Sequence, residues 1–358
     1  MAFQLIPEGR NAIQVAALSV VLAVGWNIPL PGLDLDHIPR PDSALDSITS
    51  LFSIFALDLI PLFTVLAYLE IAKLAIPGLD KWRNASTQNA GRLAIIVFAL
   101  SLVVAAWQGF GVLDALSSST IVRNHAIAFV PVGLATFVGS TALMIWLADN
   151  FGSPDLGGGF WLLMALMVVA GFPEKISYLV EVGQVGQNSV RQLLVVVLAL
   201  VAGLALVVFV NKLLSCNVPA SGVAKTSILL WPPYLSGVLA GHITYFLPEM
   251  QDWPFVAVSF IETAYVVLVT LLIPVFVFAY AGSFQWSKVN GSERWPLPIL
   301  LTVSGVQTVL FAGAWLLPIG LGIPPMTSGG ELMVVGTVML VLFVSLPHTR
   351  PPHASRRP

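Results

Sequence analysis

Two carboxylates stand inside one of the most apolar stretches of the chain, Ser53-Ile-Phe-Ala-Leu-Asp-Leu-Ile-Pro-Leu-Phe-Thr-Val-Leu-Ala-Tyr-Leu-Glu-Ile71. A carboxylate on an apolar helix can titrate, line a wet passage or tie one helix to another, and a close pair can divide acid and base work. Asp58 and Glu70 are not such a pair: twelve residues of helix place them roughly 18 Å apart. Glu70 has Lys73 three residues on, the spacing of an ordinary ion pair on one helix face. Asp58 lies early in the run, where the positive end of a helix favours a carboxylate; otherwise it lines an aqueous funnel. Pro61 takes away the N–H that the Leu57 carbonyl would accept, which predicts a kink. Glu262 lies in a later apolar run with no evident sequence partner, and Glu331 follows two glycines at the head of the last run, an N-terminal helix position.

The other reactive residues form no catalytic or metal-binding pattern. His125 and His242 are isolated and lack metal-ligand spacing. Cys216 is the single cysteine, which excludes an internal disulfide and any multi-Cys metal site. No His-Glu-x-x-His, Gly-x-Ser-x-Gly or Walker-type glycine loop is found. The expectation is a protein that is not an enzyme and takes no cofactor or metal.

The elements that carry these residues follow from composition. The chain has 358 residues, 57% hydrophobic and 9% charged, with a mean hydropathy of +0.89. A soluble protein carries about 25% charged residues. A bilayer span needs about 20 apolar residues, and ten runs of that order occur, near 11–31, 53–72, 92–113, 127–148, 159–173, 192–211, 227–247, 255–281, 297–317 and 331–347. This predicts an all-α polytopic membrane protein. The small-x-small sites near the start lie within the first run, which is therefore expected to remain as a span and not to be cleaved. Lys and Arg divide twelve to four between the two sets of loops, which puts both termini in the cytoplasm. The polar connection 173–190 separates five spans from five, the arithmetic of an inverted repeat. The halves are 1–180 and 181–347, followed by a Pro- and Arg-rich tail, 348–358, expected to be disordered. A net charge of −2 argues against a nucleic-acid partner.

Three blocks carry a family resemblance. Asn27-Ile-Pro-Leu-Pro-Gly-Leu-Asp34, the opening Ser53-Ile-Phe-Ala-Leu with Pro61 beyond it, and Thr141–Asp149 continuing through Leu156-Gly-Gly-Gly to Val169-Ala-Gly-Phe-Pro173 resemble SecY, the central channel subunit of the bacterial Sec protein translocase. Weaker echoes occur at Trp231-Pro-Pro and Gly329–Val335. The resemblance covers nearly the whole chain but is sharp only in the first half. It implies a multi-pass inner-membrane protein of two clamped five-helix halves, with a waist closed by an apolar ring. A lateral gate between the second and seventh spans opens to lipid. Alignment carries the ring to Leu59, Phe63, Phe160, Met164, Tyr234 and Val335. Leu59/Phe63 and Phe160/Met164 are i, i+4 pairs, so each pair shares a helix face. Bulky apolar groups at a narrow waist block ions by dewetting; the alternative is ordinary packing.

Asp58 occupies a place where SecY usually has glycine, and Glu70 one where it usually has glutamine at the gate. Glu70 could pair with Lys73, or reach Thr226 or Lys225 across the gate and latch it. The resemblance further implies a polypeptide substrate and a small SecE-like membrane subunit as partner. The segment Leu35–Thr49 is short and acidic where SecY keeps its plug, and the loops Leu213–Ala224 and Gly282–Trp295 are short where SecY engages the ribosome and the SecA motor. Ordinary docking of either is not expected, and the chain reads as a divergent paralogue. Two other functions stay open: a proton-coupled secondary transporter titrating Asp58, Glu70 and Glu262, and a non-conducting assembly factor.

Overall fold

A chain this apolar must satisfy its backbone polar groups internally wherever it meets lipid, and helices do so within one segment. The computed structural model describes residues 7–33, 52–118, 122, 128–184, 190–218, 221–245, 258–287, 295–321 and 327–343. The Leu35–Thr49 segment, His125, residues 288–294 and the tail 348–358 lie outside them; residues 282–287 of the expected Gly282–Trp295 loop are helical. The described residues form eleven α-helices: α1 Pro7–Asn27, α2 Ile60–Ala75, α3 Pro77–Asn84, α4 Thr87–Ser117, α5 Phe129–Asn150, α6 Phe160–Gln184, α7 Val190–Asn217, α8 Gly222–Tyr245, α9 Val258–Ser287, α10 Leu297–Leu321 and α11 Gly329–Phe343. Among these residues there are isolated β-bridges but no strand.

Among the described residues six helices are long and apolar enough to cross a bilayer, or seven if the bent pair α2 and α3 is one span. Each of the ten expected runs overlaps a helix among the described residues, yet α1 and α11 carry only shorter apolar segments, Ala12–Asn27 and Gly329–Phe343. Large apolar side chains cover the outside: Trp107 is 82% exposed, and Val103, Leu198 and Val201 are exposed with it. Water would punish so large an apolar surface, whereas acyl chains cover it. The chain is a multi-pass membrane protein.

The stretch 53–72 is not one helix. Its helical part starts at Ile60 with Pro61 in the first turn, where a missing N–H costs nothing. Pro61 therefore begins the helix and does not kink it. The Leu57 carbonyl accepts from the Ile60 N–H at 3.1 Å, so it is not orphaned. The sharp bend, 110°, comes instead between α2 and α3, where Pro77 opens α3. Residues before α2 are laced to the end of α1: the Leu30 N–H donates to the Phe52 carbonyl at 2.8 Å and the Ile54 N–H to that of Ile28 at 2.9 Å.

One apolar core gathers residues of α1, α2 and α5 to α11, among them Leu22, Leu62, Met144, Leu163, Val210, Leu229, Val277, Val303 and Val334; a smaller one packs Leu30 and Leu57 with Leu113 and Phe137. Inside the main core the buried Asn211 of α7 donates to Thr337 of α11 at 3.1 Å. The Leu156-Gly-Gly-Gly block is a tight turn between α5 and α6. Gly157 and Gly158 take φ of +74° and +136°, and a Cβ on Gly159 would lie 1.7 Å from the Phe151 carbonyl oxygen. Only glycine fits there. This turn sets where Phe160 begins α6.

Candidate functional site

Aromatic rings from three helices meet within and against the main core. Phe63 of α2 lies 6.3 Å from Phe160 of α6 with planes 8° apart, and meets Tyr234 of α8 edge-on at 5.6 Å. Phe160 stacks in turn on Trp231 of α8 at 6.1 Å and 3°. Trp161 fills the remaining side, edge-on to Trp231 at 4.9 Å and tilted against Tyr234 at 5.7 Å. Each such pair adds about 0.5–1.5 kcal/mol beyond its buried area. Leu59 belongs to the main apolar core, and Met164 and Val335 pack against that core partly buried. Of the six residues expected at the waist, Phe63, Phe160 and Tyr234 are joined by ring contacts. Beside the rings a cavity of about 320 Å³ is lined by Phe63, Tyr234, Tyr265, Phe311 and Ser328.

Asp58 is the residue just outside this collar. Its φ is +46°, the one left-handed non-glycine among the described residues. Its carboxylate accepts a 2.8 Å hydrogen bond from the Trp26 indole of α1. Asp is one of the few side chains that tolerate this backbone region. Further along α2, Glu70 pairs with Lys73 and accepts a 3.0 Å hydrogen bond from the Tyr280 hydroxyl of α9. Tyr68 of α2 and His242 of α8 are hydrogen-bonded with their rings edge to face. The His242 Nδ1 lies 2.7 Å from the Val238 carbonyl, which can only accept, so in the neutral ring Nε2 takes the Tyr68 proton donation.

A family model for SecY matches residues 53–281, well over half of the chain. The chain belongs to the SecY family. The protein translocase subunit SecY of Pseudomonas aeruginosa is 24% identical over 205 residues, which are 54% of this chain and 46% of that protein. The subunit of Streptomyces scabiei is 24% identical over 235 residues, 59% of this chain and 54% of that one. That of Escherichia coli K12 is 23% identical over 219 residues, 57% and 49% of the two chains. The chain spans about half the length of the curated relatives it matches.

The left-handed φ at position 58 is free for glycine and costs other residues. Asp58 is not the cap of α2, a place taken by Leu59; it is half-buried and held by Trp26. The expected latch from Glu70 to Thr226 or Lys225 is not formed. Glu70 is taken by Lys73 and Tyr280, while the buried Thr226 hydroxyl donates to the Asp155 carbonyl at 2.9 Å and so fastens α8 to the turn before α6. Lys225 is half-buried one residue away. Tyr68 and His242 make a direct polar contact between α2 and α8, through a histidine that sequence spacing alone marked as isolated. Glu262 is exposed in the early part of α9. Glu331 does open its helix: its N–H donates to the Ser328 hydroxyl at 3.1 Å and its carboxylate accepts from the Ser328 N–H at 3.0 Å, a reciprocal capping box.

Two of the rings, Trp161 and Trp231, escape a reading by helix stripes. Trp161 neighbours Phe160 and so falls off its face. The signal available for Trp231 was the Trp-Pro-Pro block itself.

Proposed function

We propose that this chain is a SecY-type protein-conducting channel or insertase whose closed waist is an aromatic collar. The observation that supports it is the meeting of Phe63, Phe160 and Tyr234 from α2, α6 and α8; in the SecY resemblance these helices are the second, fifth and seventh spans. Rings that slide past one another can exclude ions and still part for a polypeptide. On this reading the chain crosses the bacterial inner membrane ten times in two inverted halves, 1–180 and 181–347, with both termini in the cytoplasm. Leu59, Met164 and Val335 complete the collar. The gate runs between α2 and α8, past Glu70, Thr226 and Lys225, with Tyr68 and His242 as the pair that meets across it. A SecE-like small subunit clamps the outside. As a specialised paralogue the chain serves a restricted set of polypeptides as a conduit, with no catalytic chemistry of its own.

A photo-crosslinker placed at Leu59 or Phe63 during synthesis of secreted and membrane proteins is expected to trap a polypeptide. Absence of any adduct, with solute flux that follows the protonation of Asp58 or Glu262, would make the chain a transporter. Adducts confined to Tyr68 and Thr226, with no reporter reaching the far side, would make it an assembly factor.

A further inference from the structure

Helix α8 runs through Pro232 and Pro233. Each proline lacks the N–H that a helix offers to the carbonyl four residues back, so the carbonyls of Ile228 and Leu229 lose their partners. Ile228, Leu229 and both prolines are buried, and neither water nor lipid can supply a donor there. Gln307 of α10, only 1% exposed, supplies both. Its Nε2 donates to the Ile228 carbonyl at 2.9 Å and to the Leu229 carbonyl at 3.0 Å. Two facing carbonyls can only accept, which fixes the amide with its nitrogen toward α8. Its Oε1 is left without a hydrogen-bond partner, so the group gives up one acceptor to serve two.

The break that Gln307 spans is also where the collar is built. Trp231 and Tyr234 flank the prolines on either side and are the rings that meet Phe160 and Phe63. We propose that Gln307 is a clasp on the proline break of α8, a positioning residue that sets the closed arrangement of the aromatic collar. This rests on reading the chain as a conduit. Because the clasp comes from a neighbouring helix, it can release without unwinding α8, which a bond within the α8 ladder could not do.

The test is a cycle on the full-length chain: Gln307→Leu, Pro232→Ala with Pro233→Ala, and all three together. The alanines restore the missing N–H groups, so α8 satisfies Ile228 and Leu229 itself. Gln307→Leu is expected to lower the melting temperature in detergent by about 5 °C with the prolines present, and by no more than about 1 °C with the alanines. In proteoliposomes it should raise ion leak several-fold, and the alanines should suppress that rise. If Gln307→Leu does not fold, Gln307→Asn, one methylene shorter, takes its place. An equal fall in both backgrounds overturns the clasp, since Gln307 would then act by packing alone. A coupled fall without leak, where Phe63→Ala does leak, overturns the link to the collar. If Phe63→Ala does not leak either, the conduit reading fails and the proposal with it.

Discussion

Replacing Asp58 by glycine should stabilise or destabilise this protein according to what stands at position 26. In the native chain Asp58→Gly removes a 2.8 Å hydrogen bond from an indole N–H to a carboxylate, a kind of bond that contributes about 1.5–3 kcal/mol. It also relaxes a left-handed φ of +46°, which costs an L-residue about 1–2 kcal/mol and Asp toward the lower end. The difference is a net loss of about 0.5–2 kcal/mol. Trp26→Phe removes the donor and leaves the half-buried carboxylate without it. In that background Asp58→Gly deletes a stranded charge and relaxes the backbone together, so it should stabilise by at least about 1 kcal/mol. Thermal unfolding in detergent reads the four proteins; 1 kcal/mol corresponds to about 2 °C in a chain of this size. Asp58→Asn, which keeps an acceptor and tolerates the same φ, should fall between. A shift of equal size and sign for Asp58→Gly in both backgrounds would refute the reasoning, because Trp26 and Asp58 would then be uncoupled.

Two further outcomes are expected. Glu70→Gln and Tyr280→Phe each remove part of the link between α2 and α9, and both should lower the hydrophobicity that a segment needs to enter the gate. A graded series of reporter segments measures this, and an unchanged threshold in both variants counts against a gate role. Gly159→Ala places a methyl group 1.7 Å from the Phe151 carbonyl oxygen and should cost more than about 4 kcal/mol, seen as lost folded yield. Gly171→Ala, where an added Cβ meets nothing within 4 Å, should leave yield unchanged.

What the sequence discloses here is governed by range. Apolar runs and i, i+4 spacings are local, so the helices and the placing of Phe160 and Met164 on one of them are legible without a fold, whereas Leu59 precedes the helix that carries Phe63. Lys73 three residues from Glu70 is legible for the same reason. Tyr280, 210 residues from Glu70, is not. Stripe reasoning assumes that a helix buries one face. Helix α6 buries Phe160, Trp161, Leu162 and Leu163 in succession, so the assumption fails and Trp161 is missed. Pro61 shows another limit. A proline reads as a kink when the start of its helix is placed too early, and the turns from Ser53 to Leu59 are as apolar as the helix that follows them.

The carboxylate of Glu331 has one oxygen doing three tasks. Its Oε2 receives the Thr327 hydroxyl at 2.8 Å, the Ser328 N–H at 3.0 Å and the Lys175 ammonium at 3.2 Å. The first two begin α11, while the third fastens α11 to α6. A pull that drew these two helices apart would therefore be felt first as fraying of the turn that starts α11. Mechanical load at this rim and the winding of a helix are joined through a single atom.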